Sequence, residues 1–136
     1  PRGGDELNQI LAGKNYGWPE ISFGFEYDGG PIGKGITLKE GMEQPRWVWV
    51  PSIAPSGLTI YRGGKFPDWQ GDAFIGALAG QSLWRVDLEG TKAVGETRLL
   101  ADLKSRVRDV KVDRDGAILV LTESQDGGKL LRLLPK

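Results

Sequence analysis

The sequence predicts an all-β chain made of β-propeller blades, and three observations support this. Of the 136 residues, 21 are glycine and 5 are tryptophan, and glycine turns between short apolar runs are typical of all-β chains. Helical periodicity is scarce, because Gly13 and Gly17 would end the short turn that could form near the start. The sequence also contains a weak internal repeat of about 45 residues.

The repeat relates two segments of similar strand order. Residues 71–88 hold a buried run, a turn and an amphipathic run, and residues 115–134 repeat that order with Ala73 aligned to Ala117. A further strand precedes each segment. This order and period describe a four-stranded antiparallel propeller blade. A β-sandwich could be built from the same strands, but the repeat favours the propeller.

The pattern predicts strands and roughly three blades. The predicted strands are Glu6–Leu11, Arg46–Val50, 57–61, 72–78, 82–88, 94–101, 106–112, 117–122 and 129–134. We expect a partial blade with a long loop over 1–50, a full blade over 51–102 and a last blade over 103–136 that lacks its fourth strand. Propellers close with about four to eight blades, so we expect a piece of a longer protein or assembly with other copies.

The composition excludes several classes of function. The 18 basic and 18 acidic residues give no net charge, which removes the electrostatic argument for binding nucleic acid or an anionic membrane. No apolar run is long enough to span a membrane. Cysteine and histidine are absent, so a metal would be held by oxygen ligands, which favours calcium or magnesium.

Two loops could bind a ligand. Pro1–Asn8, with Asn15–Pro19, combines carboxylates with glycines that expose backbone carbonyls, as a hard cation requires; a capped turn with a packed aromatic loop is the alternative. Val50–Gly57 leads into the first strand of a blade, and first strands line the central channel of a propeller. The hydroxyl of Ser52 could donate to a ligand there, although serines between prolines are commonly turn formers.

An arginine pair begins the first strand of the last blade. Strand alternation places Arg106 and Arg108 on one face with Val110 and Val112, which we expect to be buried. Two guanidinium groups at the end of that face would repel each other unless an anion lies between them. The alternatives are a bound anionic ligand and a structural pairing with Asp109, with Asp113 or with an acid of a neighbouring blade.

The segments GGDELNQILAGKNYGWP, VPSIAPSGLTIYRGGKFPDWQGDAFIGAL and RVRDVKVDRDGAILVLT resemble the glucose/sorbosone dehydrogenase family of soluble glucose and aldose sugar dehydrogenases. The likeness covers nearly the whole chain and corresponds to the C-terminal part of the family. It implies half of a six-bladed propeller that oxidises the anomeric hydroxyl of aldoses to lactones with PQQ and calcium. It also implies a periplasmic or secreted location.

The resemblance implies roles for six residues. Pro1 matches a proline whose carbonyl helps to hold calcium, and Glu6 and Tyr16 match calcium-holding positions. Ser52 matches a hydroxyl that contacts PQQ. The two arginines, Arg106 and Arg108, match the pair that faces the quinone and its carboxylates.

Two departures limit the implied activity. Ala79 stands where some members have a PQQ-binding lysine, and the general-base histidine of the family lies upstream of the matching region. We therefore expect the parent protein to be the enzyme and this chain alone to be inactive, with an aldose and the missing N-terminal blades, or another copy, as partners. The alternatives are a non-catalytic propeller that binds a sugar or a protein, and a structural module in which calcium staples a long loop.

Overall fold

The computed structural model describes residues 1–136 and is all-β, with nine strands and no α-helix. The strands are β1 (Asp5–Leu7), β2 (Trp47–Trp49), β3 (Pro55–Ile60), β4 (Ala73–Ala77), β5 (Ser82–Glu89), β6 (Lys92–Leu99), β7 (Arg106–Val112), β8 (Ile118–Ser124) and β9 (Gly127–Leu133). Short 3-10 turns occupy Pro67–Trp69 and Ala101–Leu103. No helix has the length and apolar character needed to span a bilayer. The chain divides into two compact units, Pro1–Ile53 and Ala54–Lys136.

The first unit contains a two-stranded antiparallel sheet of β1 and β2. The predicted strand Glu6–Leu11 is wrong beyond Leu7, where β1 ends. The Tyr16 hydroxyl donates to the Gln9 carbonyl at 2.7 Å and accepts the Leu11 N–H at 2.6 Å. These backbone groups bind a side chain instead of a neighbouring strand, so the chain leaves the sheet early.

The long loop between β1 and β2 folds back onto the start of the chain. Arg2 and Phe25 exchange two backbone hydrogen bonds of 2.7 and 3.0 Å. A side chain on Gly4 would lie 2.8 Å from the Gly24 Cα, so this approach requires glycine. The unit buries four large apolar residues, namely Ile21, Ile32, Trp49 and Ile53. The loop is thereby held against the segment that carries Pro1 and Glu6.

The second unit begins with the predicted four-stranded blade. Its sheet has the order β3-β4-β5-β6, with every neighbouring pair antiparallel. Every residue of β4 is buried, which agrees with the continuous apolar run that predicted a central strand. The last strand, β6, ends at Leu99, two residues before the predicted end, because Leu100 adopts a left-handed conformation with φ of 58°.

The last blade has three strands in the order β7-β8-β9, all antiparallel. Its fourth strand is missing, as the sequence predicts, so one edge of β9 carries no neighbouring strand within this chain. The division of the chain at residues 50 and 102 stays a prediction.

The first strands of the two blades, β3 and β7, lie side by side. The Ser56 hydroxyl donates to the Val107 carbonyl at 2.6 Å. A Cβ atom on Gly57 would lie 2.7 Å from the Asp109 Cα, and one on Gly76 would lie 2.8 Å from a methyl group of Val107. The shared core consists of Tyr61, Phe74, Leu83, Val107, Val110, Ile118 and Val120. Two glycines therefore permit the close packing of the blades.

A β-bulge in β7 corrects the predicted face of the arginine pair. The register with β8 shifts between Val107 and Asp109, so Arg108 is the additional residue. Val107 and Val110 are fully buried in the shared core, whereas Arg106 and Arg108 are exposed. The prediction that the arginines share a face with Val110 is wrong, because it assumed unbroken alternation.

Candidate functional site

The starts of β3 and β7 lie at the same end of the second unit as two turns. Pro55, the first residue of β3, pairs with Ala77, just before the β4–β5 turn. Arg106, the first residue of β7, pairs with Glu123, just before the β8–β9 turn. Because β3 and β7 are adjacent, their connecting segments meet at this end.

A polar cleft of about 420 Å³ opens there, which we call the β7 cleft. The β4–β5 turn, the segment before β7 and the end of β8 all contribute to it. Its lining residues are Gln81, Lys104, Arg106, Glu123, Ser124 and Gln125. The sequence points to only Arg106 among them, since the other positions are distant in sequence or lie in turns.

Arg108 pairs with Glu123, on the neighbouring strand of the same blade. Arg108 donates from Nε to the Glu123 carboxylate, and both side chains are about two-fifths exposed. The hydrogen bond from Arg108 is the main reason that the pKa of Glu123 lies below its ordinary value, with the charge of Arg106 adding to it. The acids considered from sequence, Asp109 and Asp113, are not the partners of this pair.

Lys104 and Arg106 have no such partner. Neither side chain forms an ion pair or a hydrogen bond, although both line the same cleft. Glu123 is the cleft's one acid and is already bound to Arg108. The β7 cleft therefore has an excess of positive charge and suits an anion.

A second, smaller pocket of about 200 Å³ lies in the first unit. It brings together Pro1, Glu6 and Tyr16, the three residues for which the resemblance implies calcium binding. Gly3, Gly4, Asp5, Trp18, Ile21 and Ser22 complete its lining. Residues fifteen positions apart meet here because the long loop folds back onto β1.

The polar atoms around Glu6 are consistent with a cation. The Asn8 amide nitrogen donates to Glu6 Oε2 at 2.9 Å, while Asn8 Oδ1 is buried without any hydrogen-bond partner. An unsatisfied buried oxygen beside a carboxylate fits an oxygen-coordinated cation such as calcium. The Tyr16 hydroxyl is occupied by Gln9 and Leu11, and no group of three or more acids forms here. The donors would therefore be one carboxylate with amide and backbone oxygens.

Ser52 lies in the first unit and binds a carboxylate. Its hydroxyl donates to Asp5 Oδ2 at 2.7 Å, and the same oxygen accepts the Ile53 N–H at 2.8 Å. These bonds fasten the segment after β2 to β1.

Comparison with known proteins decides the family. A family model described as Glucose / Sorbosone dehydrogenase matches residues 1–132. The chain belongs to the glucose/sorbosone dehydrogenase family. Among curated relatives, it is 42% identical over 138 residues to the aldose sugar dehydrogenase YliI of Escherichia coli, covering 100% of this chain. It is 46% identical over 133 residues to an uncharacterized protein of Synechocystis sp., covering 97% of this chain.

Solved structures of the glucose/sorbosone dehydrogenase type resemble the whole chain. A glucose dehydrogenase matches with a TM-score of 0.91 and 46% identity, covering 100% of this chain and 39% of its own. The PQQ-bound aldose sugar dehydrogenase of Streptomyces coelicolor matches with a TM-score of 0.69 and 26% identity, covering 96% of this chain and 37% of its own. The chain spans 32% and 37% of the curated relatives' lengths, about a third. The predicted family and the predicted propeller fold are confirmed.

Proposed function

We propose that this chain is the C-terminal part of an aldose sugar dehydrogenase that uses PQQ and calcium. The observation that carries the proposal is the cationic β7 cleft, in a chain whose family match runs over residues 1–132. The S. coelicolor relative is a PQQ-bound protein, and PQQ carries carboxylates. When bound, PQQ supplies the electron acceptor for oxidation of the anomeric hydroxyl of an aldose to a lactone.

In this proposal, the chain's own residues bind and orient the cofactor. The Arg106 side chain forms no hydrogen bond or ion pair, although its charge acts on Glu123, so its guanidinium can donate to a carboxylate or to a quinone oxygen. Arg108 neutralises Glu123 and keeps that acid from repelling an anion in the cleft. Ser52, whose hydroxyl is bonded to Asp5, matches a hydroxyl that contacts PQQ in the family, and we assign it the same contact.

Calcium would be held in the first-unit pocket. Among the lining residues, Glu6 offers a carboxylate, and Pro1 and Tyr16 offer backbone carbonyls. Asn8 is outside the lining but is bonded to Glu6 and has a buried oxygen without a partner. Hard oxygen ligands of this kind are those that calcium prefers. When bound, calcium supplies a positive charge that stabilises charge on neighbouring oxygens.

The rest of the propeller would come from the same protein. The outer face of the last blade exposes Leu121 by 45% and Leu130 by 68%, beside an apolar groove of about 340 Å³. The chain spans only about a third of its relatives, so the N-terminal blades are the natural cover for this face. Those blades would also supply the general base, because this chain contains no histidine.

Reconstitution tests the proposal. The full-length protein is mixed with PQQ and calcium, and reduction of a dye is followed with aldoses as substrates. We expect two signals, namely dye reduction and a shift in quinone absorbance. We also propose a periplasmic or secreted location for the enzyme. Absence of both signals would overturn the dehydrogenase proposal.

A non-catalytic sugar-binding propeller is the second candidate, and Ala79 favours it. Ala79 is an exposed residue of the β4–β5 turn and offers no charge where some members place a lysine. This candidate predicts sugar binding, measured by calorimetry, without dye reduction under the same conditions.

The calcium assignment has its own test. Glu6→Gln should lower the thermal stability of the full-length protein in calcium more than in a chelator, because the neutral amide is a weaker calcium ligand. Glu26→Gln is the matched control, since Glu26 is exposed in the same unit. Equal losses in calcium and chelator would contradict the role of Glu6 as a ligand.

A further inference from the structure

Lys104, in the segment between β6 and β7, lies in the β7 cleft beside a second cation. Lys104 is exposed, has no ion pair or hydrogen bond through its side chain, and lines the β7 cleft with Arg106. Two cations that share one cleft repel each other and gain from an anion placed between them.

The backbone that positions Lys104 is strained. Lys104 has a φ of 48° and Gln81, also in the cleft lining, has a φ of 44°. Only four non-glycine residues of the chain have positive φ, and two of them meet at this cleft. The left-handed conformation costs a residue with a side chain about 1–2 kcal/mol, and such strain clusters at ligand sites.

Local structure accounts for the conformation of Lys104 but not for its side chain. Lys104 ends the 3-10 turn Ala101–Leu103, and its N–H donates to the Ala101 carbonyl at 3.3 Å. Asparagine and glycine would satisfy that backbone at lower cost. The backbone at this position therefore does not require a lysine, and the lysine charge makes no ion pair within the chain.

We propose that Lys104 is a cofactor-binding residue of the β7 cleft, which together with Arg106 binds a carboxylate of the anionic quinone. The inference rests on the proposed use of PQQ and adds a residue to that site. Gln81, on the opposite turn, offers an amide that can donate to the same ligand. Lys104 thereby supplies a second cation to a cleft in which Arg108 is engaged by Glu123.

The test is PQQ binding by full-length protein without substrate, measured as a dissociation constant by fluorescence quenching at several salt concentrations. Lys104→Asn removes the charge but tolerates the left-handed backbone, so folding is expected to be retained. We expect a roughly tenfold higher Kd for this variant and a smaller loss of affinity with salt. Lys104→Arg should bind within about threefold of the original protein, because it keeps the charge.

The matched control is Lys92→Asn. Lys92 is exposed at the start of β6, opposite Glu89 in the strand register and at the other end of the blade from the β7 cleft. Lys92→Asn should therefore leave the Kd for PQQ unchanged. If the original protein binds PQQ and Lys104→Asn binds it equally tightly, this inference is wrong while the proposed function stands. If the original protein binds no PQQ, the proposed function fails and the role of Lys104 fails with it.

Discussion

Tyr61→Phe removes one oxygen atom from the core of the second unit. Tyr61 is 0% exposed. Its hydroxyl donates to the Gly116 carbonyl at 2.7 Å and accepts the Phe66 N–H at 3.0 Å. Through these bonds the side chain ties the end of β3 to the β7–β8 turn and to the segment before Pro67–Trp69. The ring itself would stay packed against Phe66 and Phe74.

The expected cost follows from those two hydrogen bonds. Each contributes about 0.5–1.5 kcal/mol net, and a buried group left without a partner adds to the loss. Gly116 is buried, so its carbonyl would be left without a partner in the variant. We expect Tyr61→Phe to lower the free energy of unfolding by about 2 kcal/mol.

Urea unfolding of the full-length protein measures this cost, with the slope against urea expected to be unchanged. Tyr27→Phe removes the same atom from a side chain that is 71% exposed and should cost almost nothing. PQQ affinity should be the same in both variants, because the β7–β8 turn lies at the opposite end of the blade from the β7 cleft. A loss for Tyr61→Phe as small as that for Tyr27→Phe would refute the reasoning.

Three further predictions concern packing and charge. Gly57→Ala should prevent stable folding, because the new methyl group would overlap the side chain and backbone of Asp109; thermal melting and soluble yield measure this. Asp72→Ala should cost about 3–4 kcal/mol in urea unfolding, because the buried carboxylate binds Arg85 at 2.6 Å and accepts the Leu88 N–H at 3.0 Å. Its loss leaves Arg85 with only the half-exposed Asp87 as an ion-pair partner. Folding lowers the pKa of Glu123, so its ionised carboxylate stabilises the fold at pH values above the unfolded pKa of about 4.3. This stabilisation is lost as the pH falls through the pKa of the folded state. The urea midpoint of Glu123→Gln should therefore change less between about pH 5 and pH 3 than the midpoint of the original protein.

The Gly57 and Asp72 predictions each have a control within the chain. Gly64 has open space around the position of a Cβ atom and no positive φ, so Gly64→Ala should fold normally. Asp87 lies 3.7 Å from Arg85 but is half exposed, so Asp87→Ala should cost less than 1 kcal/mol. Equal effects within either pair, or an unaltered pH dependence in Glu123→Gln, would contradict the corresponding argument.

Much of the second unit could be predicted from its sequence because its signals are local. Alternation, glycine turns and the internal repeat place β4, β5 and β8 within one or two residues of their observed bounds. The strands of the first unit are harder to predict, because a side chain distant in sequence decides where β1 ends. The hydroxyl of Tyr16 takes the backbone groups that would have extended β1, and no local propensity in Glu6–Leu11 reveals that competition.

The residues of the candidate sites likewise fall into those that the sequence suggests and those that only the structure reveals. Glu6 and Tyr16 could be selected from sequence, and the fold brings both to one pocket with Pro1. Asn8 could not, because its significance lies in a buried oxygen without a partner, which only a three-dimensional arrangement can create. Lys104 likewise has no distinguishing signal in the sequence, because only the folded structure shows that it lines one cleft with Arg106.

The bulge at Arg108 explains how two neighbouring arginines can do different work. With regular alternation, Arg106 and Arg108 would continue the row of Val110 and face the core. The extra residue instead leaves both arginines exposed and places Arg108 against Glu123. Arg108 then forms the ion pair with the cleft's only acid, and Arg106 lines the cleft without an ion pair of its own. The bulge therefore has two effects: it allows Val107 to pack in the core, and it lets Arg108 neutralise Glu123, which leaves the β7 cleft with an excess of positive charge.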